Sequence, residues 1–260
     1  IMAQAVSGVL CLIRLVRMRD TVDINRHTLR LNGQLCRRLT GLGLPAGITQ
    51  AIFSLSAIVV QSLTNSLGTA VIATSVAVMR VDGFAMMPNF TFGTASTTYT
   101  GQNIGAGRLD RIHTGTRDLM KLALGVAGVL VLCILFFGGQ LISLFTNTPT
   151  VIEMGIRGLR WLAFGYLAFA VSQVLQGVMR GVGETMTPMW ISIVCTVLLR
   201  LPIAYLWAYL TRSPAWPNGH PDSIFASLLV SWTLNMLITL VCFRLGRWRK
   251  KLAPQAADKA

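Results

Sequence analysis

Asp82 is the one carboxylate that the sequence places inside an apolar segment long enough to cross a membrane. A charged side chain at that depth is costly and usually marks an ion, proton or substrate path. We therefore predict that Asp82 binds a coupling proton or another cation. The structural alternative is pairing with an arginine such as Arg80 or Arg200. Arg80 is a poor partner within the same helix, because residues two apart point to different sides.

Polar side chains also recur at helical spacing along several apolar segments. Gln50, Ser54, Gln61 and Asn65 are separated by four, seven and four residues, which keeps them within roughly 60° of arc on a helix. We predict that such stripes line a substrate cavity. The predicted cavity residues are Gln50, Ser54, Gln61, Asn65, Asn89, Tyr166, Gln173 and Gln176. For the glutamines, hydrogen bonding between helices is the alternative.

Two arginines that fall on polar stripes, Arg180 and Arg200, are predicted to tie helices together rather than to contact substrate. No G-x-x-x-x-G-K-[ST] motif occurs, and the three histidines have no metal-ligand spacing. The sequence therefore predicts no enzyme, no catalytic residue, no metal site and no cofactor other than a coupling ion, H⁺ or Na⁺.

The elements that must position these residues are transmembrane helices. Of the 260 residues, 53% are hydrophobic and only 12% are charged, against roughly 25% charged residues in soluble domains. Five apolar stretches of about 20 residues are each long enough to cross a bilayer as a helix, and a less apolar sixth is needed for the charge pattern to alternate. They cover residues 47–66, 74–103, 122–145, 159–178, 189–210 and 224–243. The predicted fold is an all-α polytopic membrane protein with a six-transmembrane-helix bundle.

The charge pattern gives the orientation. The formal net charge is +14, and 18 of the 23 Lys and Arg residues fall in connections on one side, against Arg212 alone on the other. The positive-inside rule makes the basic side cytoplasmic, which places both ends in the cytoplasm and the protein in the plasma (inner) membrane. Nucleic acid is not expected as a partner, because the cations flank helices instead of forming a stripe interleaved with aromatic residues.

Four segments follow from this layout. Residues 1–16 are predicted to be the end of a truncated transmembrane helix that begins upstream, and residues 17–43 a basic cytoplasmic connector. Residues 44–245 form the six-helix lobe, with Pro45 opening its first helix, and residues 246–260 form a basic cytoplasmic tail. The Gly177-x-x-x-Gly181 spacing is expected to mark a helix end rather than a dimer contact.

Three segments resemble the multidrug and toxic compound extrusion (MATE) family. They are Thr-Gly-Gln-Asn-Ile-Gly-Ala-Gly-Arg-Leu-Asp-Arg at 100–111, Gly-Val-Met-Arg-Gly-Val-Gly-Glu-Thr-Met-Thr-Pro-Met at 177–189, and Arg-Leu-Pro-Ile-Ala-Tyr-Leu at 200–206. The resemblance implies the second lobe of a twelve-helix exporter, preceded by the end of a further helix. It implies antiport of small organic, cationic substrates against protons or sodium by alternating access, with the N-terminal six-helix lobe and the lipid bilayer as partners.

The resemblance also limits the coupling ion. Some members bind sodium with acidic residues in the seventh and tenth helices, where this sequence has Gln50 and Phe53, and Gln173 and Gln176. A sodium site of that kind is therefore not expected in this half. Two other functions remain open at this stage. One is a flippase for lipid-linked oligosaccharide precursors, for which Arg80 and Arg200 would bind the diphosphate. The other is a membrane assembly subunit that does not transport.

Overall fold

The computed structural model describes residues 2–17, 32–246 and 248, and these residues form helices joined by short loops. Six helices are long and apolar enough to cross a membrane within that part of the chain. Together with a shorter first helix they are α1 (Met2–Arg17), α2 (Gly33–Ser66), α3 (Thr69–Gly105), α4 (Leu109–Ser143), α5 (Pro149–Gly181), α6 (Met186–Leu210) and α7 (Asp222–Arg244). The all-α fold with six spanning helices is as predicted.

The chain divides into two units between Leu44 and Pro45. In the first unit, α1 is exposed along its length, and Asn32 caps the start of α2 by accepting hydrogen bonds from the backbone N–H groups of Gln34 (3.0 Å) and Leu35 (3.3 Å). Because α2 starts at this cap, Pro45 lies inside the helix. The expectation that Pro45 opens the helix is therefore wrong.

The structure describes only part of the predicted connector and tail. Residues 18–31 of the predicted connector, and all of the predicted tail except Gly246 and Trp248, lie outside the described residues. Another boundary shifts: α4 begins at Leu109, not near residue 122. As a result Arg111, Arg117 and Lys121 lie on a helix instead of in a connection.

The second unit packs around α5, which contacts α3, α4 and α7. Glycines on α5 allow this central position, because side chains of neighbouring helices lie where a Cβ would be. A Cβ added at Gly155 would lie 3.2 Å from Ile142, one at Gly158 would lie 2.8 Å from the Phe225 ring, and one at Gly165 would lie 2.5 Å from the Trp232 ring.

A tight contact with backbone joins α3 and α5. A Cβ added at Gly177 would lie 2.5 Å from the carbonyl oxygen of Gly93 and 2.7 Å from the Cβ of Ser96. The Ser96 hydroxyl donates a hydrogen bond to the Val174 carbonyl oxygen (2.8 Å) beside this contact. Gly177 is thus an interhelical packing residue, and α5 ends at Gly181, the second glycine of the spacing, as expected. The left-handed residue after α5 is Gly183, with φ +85°.

Helix α6 is not uniform. It is α-helical over Met186–Ile193, π-helical over Val194–Leu199 and α-helical again over Arg200–Leu210. Two carbonyl groups of the π-helical turn accept hydrogen bonds from other helices: that of Thr196 from Ser56 on α2 (3.1 Å) and that of Cys195 from Ser231 on α7 (2.9 Å). Single π turns are common at functional sites, and this one immediately precedes Arg200.

Candidate functional site

Asp82 and Tyr166 form a hydrogen-bonded pair between α3 and α5. The Tyr166 hydroxyl donates to Oδ1 of Asp82 at 2.8 Å, and the tyrosine side chain is completely buried. The sequence indicated both residues separately but did not predict that they bond to each other. Tyr166 is close to the middle of α5, so the pair lies well inside the bundle.

Arg200 is the positively charged residue that acts electrostatically on Asp82. Its charge acts on the Asp82 carboxylate, but the two make no direct ion pair among the described residues. Its buried Nε has no hydrogen-bond partner within the same part of the chain. Arg80, the alternative partner for Asp82, is exposed. Within the described part of the chain, Asp82 therefore has one short hydrogen bond, a cation at longer range and no ion pair.

An aromatic cluster holds the tyrosine in place. The ring of Tyr166 lies 5.7 Å from that of Trp232 on α7, and the Trp232 ring lies 5.4 Å from that of Phe169. Phe169 in turn meets Phe90 of α3 edge to face at 5.6 Å. These contacts leave the phenol little freedom to rotate away from Asp82. They also form an apolar surround in which a change of charge on the carboxylate has a large electrostatic effect.

The single hydrogen bond from Tyr166 leaves most of the acceptor capacity of the Asp82 carboxylate unused among the described residues. A carboxylate that accepts only one hydrogen bond keeps lone pairs for a proton or a metal cation. The Tyr166 hydroxyl can donate to the carboxylate and can also accept from its protonated form. The chemistry available at this site is therefore uptake and release of a single positive charge.

Gln176, one of the predicted cavity residues, bonds instead within the bundle. Its amide Nε2 donates to Asn235 Oδ1 at 2.9 Å and lies 3.1 Å from the Thr239 hydroxyl, both on α7. Only 5% of Gln176 is exposed, so in this structure it joins α5 to α7 and does not line an open cavity. Sequence reasoning missed Asn235, although a polar stripe at four-residue spacing on α7 could have marked it: Ser223, Ser227, Ser231, Asn235 and Thr239.

Two further predicted cavity residues are also buried. Asn89 is 1% exposed, and its Nδ2 donates to the Ala85 carbonyl oxygen one turn earlier in α3 (3.2 Å). Tyr166 is engaged with Asp82, as described above. In this structure the side chains of Asn89, Tyr166 and Gln176 pack inside the bundle, and their role as cavity residues stays a prediction.

The α2 stripe behaves differently. Gln50, Ser54, Gln61 and Asn65 are all exposed. Gln61 donates to Asn65 Oδ1 at 2.9 Å, and the Ser54 hydroxyl bonds to the Gln50 carbonyl of its own helix at 3.1 Å. None of these bonds reaches another helix, so this polar face is available to a ligand or to another protein surface.

Gln173 and Arg180 meet α3 at one glycine. A Cβ added at Gly93 would lie 3.2 Å from Oε1 of Gln173 and 3.4 Å from Nη2 of Arg180. Both side chains are half-buried. This placement agrees with a structural role for Arg180 between α3 and α5, and it leaves Gln173 on the boundary between packing and exposure. No cluster of three or more His, Cys, Asp or Glu residues suited to a metal ion occurs in the described ranges.

Comparisons with known proteins agree on one family. The family model described as MatE matches residues 45–206. Probable multidrug resistance protein YoeA of Bacillus subtilis (strain 168) is 29% identical over 229 residues, which is 87% of this chain and 47% of that protein. Probable multidrug resistance protein NorM of Thermotoga maritima is 26% identical over 218 residues, covering 83% of this chain and 45% of its own length.

The solved structures give the same result for the fold. A crystal structure of MATE in the bent conformation matches with a TM-score of 0.84 at 19% identity, and the match covers 98% of this chain and 55% of that one. The chain therefore spans about half the length of the proteins that it matches.

Proposed function

Because the chain belongs to the MatE family of multidrug transporters, we propose that it acts as the second lobe of a cation-coupled exporter of small organic cations. The observation that carries this proposal is the half-buried carboxylate of Asp82 with its single short bond to Tyr166. A six-helix lobe that only scaffolds a membrane complex has no need of a carboxylate in that position. The relatives' names, which describe probable multidrug resistance proteins, support drugs as the exported substrates.

In this proposal the exposed polar face of α2 forms one wall of the substrate cavity. The opposite wall comes from an N-terminal six-helix lobe, since repeat-built transporters bind substrate between their two halves. Amide and hydroxyl groups on the wall, those of Gln50, Ser54, Gln61 and Asn65, can hydrogen-bond varied substrates without demanding one shape. Gln173, half-buried beside Gly93, is the remaining candidate at the cavity edge.

Asp82 is proposed as the coupling site. Entry of a proton from outside neutralises the carboxylate, and loss of that charge changes its attraction to Arg200 on α6 and its bond to Tyr166 on α5. Both contacts link different helices, so the charge of one residue biases how α3, α5 and α6 pack. Alternating access follows if the two packings open the cavity to opposite sides. The excess of Lys and Arg on one side of the lobe supports a cytoplasmic position for that side in the plasma membrane.

Everted membrane vesicles that contain the complete reading frame test this proposal. A proton gradient is imposed, a cationic drug and then sodium are added, and dissipation of the gradient is recorded. We expect the cationic drug to dissipate the gradient. Absence of any response to drug or sodium contradicts the proposed function and favours the alternative of a membrane assembly subunit that does not transport.

The role of Asp82 has its own test in the same vesicles. Asp82→Asn keeps the size of the side chain and its bond to Tyr166 but removes the ionisable group. We expect it to reduce drug-dependent dissipation at least tenfold at equal protein level, whereas Asp110→Asn, at an exposed carboxylate beside Arg108, leaves it unchanged. Transport by Asp82→Asn at the wild-type rate excludes Asp82 as the coupling site while leaving the exporter itself established.

A further inference from the structure

Three cationic or ionisable side chains line one wall of a cavity at the start of α4. His113, Arg117 and Lys121 are spaced four residues apart, so they lie along one face of the helix. The cavity has a volume of about 770 Å³, and its remaining wall includes Phe243 and Trp248. All three side chains are exposed, so a ligand can reach them.

An apolar groove continues from this cavity along the same helix. The groove is shallow and wide open, with a volume of about 530 Å³, and α4 alone lines it, at Leu122, Gly125, Val126, Val129 and Leu130, with Lys121 shared between groove and cavity. Gly125 leaves the groove open, because nothing lies within 4 Å of a Cβ built there. The basic cavity and the apolar groove therefore form one continuous amphipathic site.

The dimensions of this site match half a bilayer. From Lys121 to Leu130 the helix rises nine residues, or about 13.5 Å at 1.5 Å per residue. One leaflet of hydrocarbon is about 15 Å thick, half of the roughly 30 Å core. A charged head group held at Lys121 would therefore place an acyl chain along the whole groove.

We propose that this site binds an anionic glycerophospholipid, with its phosphate in the basic cavity and one acyl chain in the groove. Arg117 can bond a phosphate oxygen in bidentate fashion, and Lys121 adds a second positive charge. The nearby acid is Asp118, whose carboxylate lies 3.7 Å from the Lys121 ammonium on the exposed helix surface. Two cations and a histidine against one carboxylate leave the cavity suited to an anion.

The aromatic wall supports a lipid over a free anion. The rings of Phe243 and Trp248 stack with centroids 4.8 Å apart, and the Trp248 indole N–H donates to the Phe243 carbonyl oxygen at 3.0 Å. Tryptophan is enriched where hydrocarbon meets head groups. A site for phosphate alone has no use for this apolar wall or for the groove beyond it. The site is separate from Asp82 and does not depend on the transported substrate.

Native mass spectrometry of the detergent-solubilised 260-residue chain tests the charge component. Long-chain phosphatidylglycerol is titrated against phosphatidylcholine, and we expect preferential retention of phosphatidylglycerol. Arg117→Gln/Lys121→Gln should weaken phosphatidylglycerol binding roughly thirtyfold, from the usual contribution of two cations near an anionic lipid. The matched control Arg108→Gln/Arg111→Gln removes the same charge outside the cavity and should weaken binding less than threefold. Equal loss in both pairs shows diffuse surface attraction and overturns the proposal.

A second comparison tests the groove and separates lipid from free phosphate. Gly125→Leu fills the groove and should abolish the advantage of long-chain over short-chain phosphatidylglycerol, whereas Gly83→Leu, the same change at an exposed glycine of α3, should keep it. Inorganic phosphate should not displace the long-chain lipid at millimolar concentration. If phosphate displaces it, or if Gly125→Leu binds long chains as well as the wild type does, the site is not a lipid site.

Discussion

Gly177→Ala introduces a methyl group at the point where α3 and α5 are closest. The added carbon would lie 2.5 Å from the Gly93 carbonyl oxygen, whereas ordinary contacts begin at 3.4 Å, so the helices must separate by about 0.9 Å locally. The carbonyl is backbone and cannot rotate away, unlike the end of a flexible side chain. The hydrogen bond from Ser96 to the Val174 carbonyl, 2.8 Å long, spans the same gap and lengthens with it.

The expected cost follows from these displacements. Overpacking a tight contact costs about 1–3 kcal/mol, and a hydrogen bond between membrane helices contributes about 0.6 kcal/mol. Alanine offsets part of this loss, because it is a better helix former than glycine by about 1 kcal/mol. We therefore expect Gly177→Ala to lower the free energy of unfolding by about 1–2 kcal/mol.

The assay is unfolding of the detergent-solubilised chain by sodium dodecyl sulfate, followed by helical circular dichroism. Gly128→Ala serves as the matched control, since it makes the same change inside α4 at a position where nothing lies within 4 Å of the added carbon. The control should be neutral or slightly stabilising. A difference of less than about 0.5 kcal/mol between the two variants refutes the argument that glycine is required for the α3–α5 contact.

Two further substitutions test contacts that join helices. Gln176→Leu leaves Asn235 with no amide donor from α5 and should lower the free energy of unfolding by about 1–3 kcal/mol in the same assay. In a double-mutant cycle with Asn235→Leu, the coupling energy between the two side chains should be near ~0.6 kcal/mol. A coupling energy of zero would argue against the bond. Ser56→Ala removes the bond to the π-helical turn at Thr196 and should lower the free energy of unfolding by about 0.6 kcal/mol. Ser54→Ala is the control and should have no effect, because the Ser54 bond stays within α2. Equal effects of the two substitutions would contradict the role of Ser56 in joining α2 to α6.

Hydropathy and charge were sufficient to predict the number and order of the spanning helices. Helix α3 shows why both were needed: its polar residues weaken the hydropathy signal, but the alternation of basic connections requires a crossing there. The ends were less predictable. Pro45 is compatible with a helix start, and only the cap formed by Asn32 places that start twelve residues earlier. A helix that extends beyond the hydrocarbon core is no longer apolar there, so hydropathy does not detect that part of the helix.

The candidate site was predictable in its members but not in its pairings. Asp82 and Tyr166 were each identified from their depth and spacing, yet their hydrogen bond depends on how α3 and α5 are rotated against each other, which a pattern on one helix does not record. The glutamines illustrate the same limit. Periodicity indicated a polar stripe on α5, but it could not say that Gln176 turns to Asn235 while Gln173 turns to Gly93.

The position of α5 connects packing to the proposed coupling. One helix carries Tyr166, which bonds to Asp82, and also Gly177, which fixes the distance to α3. These two contacts lie eleven residues apart, about 16.5 Å along the helix axis, so a change in the angle between α3 and α5 alters one contact more than the other. A tight glycine contact is suited to be the pivot of such a motion, because it resists separation while allowing tilt. Protonation of Asp82 would then act at the contact with Tyr166, which lies away from the Gly177 pivot and where a tilt of α5 produces the larger displacement.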